Sequence, residues 1–116
     1  TAAVLQVVDA ELLAEMAMAL RRVPLADSAE ARLGQALPLL PMTSVPREAG
    51  RGWIGRAVVD RARLQLTGSG SEPARQALER ARSIFDAQSD SLLLHAIEAE
   101  RMRLDEAMGA RGVRAQ

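Results

Sequence analysis

Proline and glycine punctuation does most to limit what this chain can fold into. Pro24, the trio Pro38, Pro41 and Pro46, the stretch "TGSGS" (67–71) and "QSDS" (88–91) cut it into short pieces. A proline inside a helix removes a backbone donor and clashes with the preceding turn, and glycine–serine runs make flexible turns. One long coil is therefore excluded, and each piece must bury itself against its neighbours. Within the pieces, apolar residues recur at three- and four-residue spacing, the period of a helix.

That periodicity predicts about five helices. The first covers about Val4 to Arg22 and turns Leu5, Val8, Leu12, Met16, Ala19, Leu20 and Val23 inward, with Pro24 ending it. The second opens with Asp27 as N-cap and Glu30 three residues on, a capping-box-like pair. It buries Ala29, Leu33, Ala36, Leu37 and Leu40, and Pro38 kinks or ends it. Residues 42–52 form a loop, and the third helix runs from Pro46 or Gly52 to Leu66. The fourth, Glu72 to Ala87, carries Pro73 in its first turn, where a missing N–H costs nothing. It buries Ala74, Ala77, Leu78, Ala81, Ile84 and Phe85. The fifth, Ser91 to Met108, buries Leu93, Ala96, Ile97, Leu104, Ala107 and Met108 and is closed by Gly109 and Gly112. A single domain over 1–109 and a frayed tail over 110–116 are expected.

Composition supports helices over strands. Apolar residues make up 48% of the 116 residues but aromatics only 2%, so the core must come from aliphatic side chains and alanine. Alanine is the best helix former, whereas strands favour β-branched and aromatic residues. The expected fold is all-α, an antiparallel helix-hairpin array. The length suits one small domain.

Charge and residue types exclude several functions. Fifteen basic residues, all of them arginine, balance fifteen acidic ones, and direct nucleic-acid binding needs a basic excess. Exclusive use of arginine also fits a GC-rich bacterial genome. Without cysteine, and with His95 the only histidine, thiolate sites and histidine clusters are ruled out. No apolar run reaches the roughly 20 residues of a membrane span. The chain opens at Thr1 with no basic segment after it, as expected of a processed chain or an excised domain.

Gly50-x-Gly52-x-x-Gly55 has the spacing of a dinucleotide-binding turn. That turn needs a strand before it and an acidic residue ending a second strand, and neither pattern is present. The alternative is a glycine-weakened helix start that lets helix backbones approach. Trp53-x-Gly55 matches the central turn of small secreted helical hairpins, but the prolines and "TGSGS" interrupt the long helices such hairpins need. Glu98 and Glu100, or Asp105 and Glu106, lie on arginine-rich helical surfaces as solvated charge. His95 sits without an acid or nucleophile near it in sequence. No catalytic residue, cofactor or metal is expected.

"DRARL" (60–64) matches "ERMRL" (100–104), and "SAEAR" (28–32) resembles "SEPAR" (71–75), a recurrence near 40 residues of the kind α-solenoids show. "ARLQLTGSGSEPARQALERARSIFDAQSD" (62–90) resembles a divergent tetratricopeptide-type repeat, of the longer-period variety found in helical domains of large bacterial regulators. It has a first helix, a glycine-bearing turn, then Ala74, Leu78 and Ala81 on the second helix. Trp53 falls where such repeats place an early aromatic; Ala57 or Ala62 would be the small residue of the first helix. The repeat's tyrosine has no counterpart. The resemblance spans about Asp27 to Met108 and implies peptide or protein binding on a concave surface.

Stacking of this kind makes the third and fifth helices neighbours, so Arg61 and Glu100, each amid apolar residues, are expected to approach each other; the alternative is that both snorkel outward separately. Outward residues of the first, third and fifth helices then form the partner-binding surface: Val7, Met18, Arg21, Val59, Arg63, Leu66, His95 and Met102. Adaptable Met and forked Arg suit a partner helix. The expectation is a cytoplasmic, non-catalytic adaptor for a protein or peptide partner, with self-association as another way to cover the surface. The alternatives are a secretion-type chaperone or assembly subunit sequestering an amphipathic helix, or a ligand-sensing domain of a transcription regulator.

Overall fold

The computed structural model of the chain describes residues 2–42, 46–88 and 90–115. The helices are α1 (Ala2–Leu20), α2 (Val23–Ala36), α3 (Pro46–Thr67), α4 (Glu72–Gln88) and α5 (Ser91–Ala115), with a 3-10 segment at Leu37–Met42. The described residues contain no strand. The fold is the all-α array of helix hairpins that the punctuation implies.

Local chemistry sets the boundaries. Arg21 takes a left-handed φ of 53°, and the Arg22 N–H reaches back to the Ala17 carbonyl at 3.0 Å. This closes α1 with the wrap-around bond typical of a helix end. Pro24 then sits in the first turn of α2, so it opens the second helix instead of ending the first. Asp27 lies inside α2 and is not its cap; Arg22 holds that position with no side-chain cap bond. Pro38 limits α2 as expected, because the chain tightens into the 3-10 segment after Ala36. At the end of α3, Gly68 adopts φ 78° and its N–H bonds the Leu64 carbonyl at 3.1 Å. The Asp90 carboxylate accepts the Leu93 N–H at 3.2 Å, capping α5. The last helix does not stop at Gly109 but continues to Ala115.

α3 is the central helix. It packs against α1, α2 and the 3-10 segment on one side and α4 and α5 on the other. Two apolar clusters meet on it. Val58, Val59 and Ala62 join Val7, Leu33 and Leu40, while Ile54, Ala57 and Leu64 join Leu78, Phe85 and Leu104. α1, α3 and α5 run in the same direction. Gly55 lies against Val7 and Arg61 near Met18, while Arg47 pairs with Asp90 and Arg61 with Glu100.

The glycine-spaced motif lies wholly within α3 and makes close contacts. A Cβ on Gly50 would come within 2.6 Å of the Phe85 ring of α4. On Gly52 it would overlap Leu40 of the 3-10 segment, and on Gly55 it would meet Val7 of α1 at 2.6 Å. Each glycine thus admits a different neighbour, and no phosphate-binding turn is formed.

α1 reverses its expected polarity. Ala3, Val7, Ala10, Ala14 and Ala17 are buried, while Leu5, Leu12, Met16 and Leu20 are exposed, Leu5 by 67%. Large apolar residues and the acidic Asp9, Glu11 and Glu15 are spread around the helix, so leucine spacing alone does not fix the side that packs. The narrow alanine side fits the seam with α2 and α3, where bulky side chains would hold the backbones apart.

Candidate functional site: the groove between α1 and α5

α1 and α5 both pack on α3 but not on each other, leaving a groove of about 390 Å³ between them. Its floor is Arg51, Ile54 and Val58 of α3. One wall is Val8, Glu11, Leu12 and Glu15 of α1; the other is Ala96, Ala99, Glu100 and Arg103 of α5. Val8 and the exposed Leu12 of α1 and the half-exposed alanines of α5 give the walls apolar character.

The deepest charges are paired with one another. Arg61, 5% exposed, donates from Nε to Glu100 Oε2 at 2.6 Å and from Nη2 to Glu15 Oε1 at 2.6 Å. Arg103 approaches Glu100 from the rim at 3.6 Å, and Arg51 forks onto Glu11. Burial works against the charge on Arg61, but its bonds to Glu100 and Glu15 outweigh that and raise it above the ordinary arginine value. Burial pushes the Glu100 carboxyl up, against the pull of Arg61 and Arg103. The expected meeting of Arg61 and Glu100 is therefore present, with Glu15 as an additional partner.

The eight residues assigned to the partner surface are not brought together. Val7 and Val59 are fully buried, which corrects their outward placement: Val7 fills the space over Gly55, and Val59 belongs to the cluster around α1. Met18 is half-buried, with its sulfur 3.5 Å from Arg61 Nη1. Arg21 lies in the turn after α1, and Arg63 pairs with Glu30 of α2 on the opposite face. Leu66 is half-buried; His95 and Met102 are exposed on the outer side of α5. None of the eight lines the groove. The alanines at 3, 10, 14 and 17 were the available signal for the orientation of α1, since small residues at helical spacing mark a close seam.

Among the described residues no group of three or more His, Asp and Glu side chains could hold a metal ion. No described helix is long and apolar enough to cross a membrane. No family model, curated protein or solved structure matches the chain.

Proposed function

We propose that this chain is a non-catalytic, tetratricopeptide-like interaction module that holds an amphipathic helix of a partner protein in the groove between α1 and α5. The uncovered leucine stripe of α1, running beside that groove, carries the reading. Large apolar side chains left in solvent at helical spacing mark a face that another surface can cover. Covering each exposed leucine is worth about 1 kcal/mol. Ala96 and Ala99 form a low wall that lets another helix approach closely. Glu11, Glu15 and Glu100 of the lining are answered by Arg51 and Arg103 in the groove and by the buried Arg61 beneath it, so the groove suits the apolar face of a neutral helix. The proposal places the protein in the cytoplasm, with no direct nucleic-acid partner.

The test uses a displayed library of amphipathic helical peptides selected against the chain. Binding should be lost with Ala99→Trp, which fills the groove, and with Leu12→Glu, which charges the stripe. Selected peptides that bind both variants as well as the parent chain would reject the groove. Sedimentation should find the unliganded chain monomeric. A dimer abolished by Leu12→Glu would instead make a second copy the occupant.

A further inference from the structure

The opposite face of α3 carries a second, chemically different cleft. It lies between α2 and α4, has a volume of about 310 Å³, and is lined by Trp53, Pro73 and Ala77 together with charged and polar groups. Arg56 on its floor is already engaged, forked onto Glu30 and bonded to Asp60 at 2.8 Å. Arg63 has a weaker hold on Glu30, at 3.6 Å, and is 42% exposed.

Arg80 stands apart. From Arg32 to Arg103, every other arginine has a carboxylate within 4.0 Å among the described residues. Arg80 has none; its guanidinium lies 4.7 Å from the centroid of the Trp53 ring, at the mouth of this cleft. A guanidinium stacked on an indole is held in position while its N–H groups remain available, and their fork matches a carboxylate.

We propose that this cleft binds a small monocarboxylic acid with a compact apolar body. The acid group would be held by Arg80 and Arg63, and the body by Trp53, Pro73 and Ala77. Charge selects the ligand. Arg56, Arg63 and Arg80 face Glu30 and Asp60, an excess of one positive charge. A single carboxylate neutralises that excess, whereas a dianionic phosphate overshoots it and leaves the cleft net negative. The volume is at the lower end for small-molecule sites, which sets the size of the acid. This site is independent of the groove on the other face.

Trp53 is the only tryptophan and there is no tyrosine, so intrinsic fluorescence reports on the cleft directly. The full chain is titrated with cyclohexanecarboxylate, with its neutral carboxamide, and with inorganic phosphate. Expected are a saturable change in Trp53 emission with the carboxylate, a rise in melting temperature alongside it, and no saturable response to the carboxamide. Arg80→Ala and Arg63→Ala should each weaken carboxylate binding about tenfold, the loss of a charge-assisted fork. Arg82→Ala, on the same helix but outside the cleft, should leave it unchanged. Equal responses to carboxylate and carboxamide, tighter binding of phosphate, no saturation, or unaltered affinity in both Arg80→Ala and Arg63→Ala would each overturn the proposal.

Discussion

Arg61 of α3 and Glu100 of α5 join through two bonds, 2.6 Å from Nε and 3.3 Å from Nη2, with both side chains nearly buried. Glu15 of α1 accepts from the same guanidinium, so one arginine ties the three parallel helices together. Arg61→Met leaves the buried Glu100 carboxylate only the more distant Arg103, at 3.6 Å, and removal of one partner of a buried pair costs about 3 kcal/mol. Arg61→Met with Glu100→Leu should restore most of that loss, as read from urea midpoints. Destabilisation by both changes together that matches the sum of the singles would show that the pair does not act as a unit.

The same variant has a pH signature. Burial already raises Glu100 with Arg61 present, and loss of Arg61 raises it further. A carboxyl whose folded value lies above its unfolded one favours folding below the unfolded value. That contribution is lost as pH rises through the folded value. The cost of Arg61→Met should therefore shrink as pH falls from neutral toward the ordinary carboxylate range. A cost independent of pH across that window would contradict the assignment.

The glycines of α2 and α3 predict opposite responses to one substitution. Gly34 has nothing within 4 Å of an added Cβ, and Gly34→Ala should stabilise the chain by about 1 kcal/mol through helix propensity. Gly55→Ala makes the same gain but drives a methyl against Val7 Cγ1 at 2.6 Å. Val7 is stiff and fully buried, so overpacking should exceed the gain and leave a net loss of about 1 kcal/mol. Thermal unfolding of the two variants checks the sign of each.

Arg21 holds a left-handed conformation that costs an L-residue about 1–2 kcal/mol. Arg21→Gly should release that cost, less the glycine's own entropy, for a net gain of about 0.5 kcal/mol. Arg21→Val should lose stability. Melting temperatures in the reverse order would refute the closure described for α1.

Leu12 is 58% exposed. Leu12→Glu should change unfolding free energy by less than about 0.5 kcal/mol, as surface changes do, while abolishing helix capture. A large loss of stability would mean that the stripe is already packed.

How much of this was readable depended on whether a helix has two different sides. α4 does, and Ala74, Ala77, Leu78, Ala81 and Phe85 are buried as expected; on α5 Ile97, Leu104 and Ala107 are too, whereas Ala96, expected inside, is half-exposed in the groove wall. The Arg61–Glu100 contact followed from two charges at apolar positions on neighbouring helices. α1 has no polar side to mark its exterior. Only the packed neighbours decide which way it faces, so the leucine stripe, Val7 and the groove wall were misplaced together. Pro24 is compatible with both a stop and a start, and the turn at Arg21 resolves it as a start. Arg80 gave no sequence signal, because its lack of a carboxylate partner depends on where the arginines around it find theirs.

The two apolar clusters share α3 as a common wall. Neither end of the molecule can melt away and leave the other with an intact lining. Strain applied at α1 therefore reaches the far pair of helices across one element.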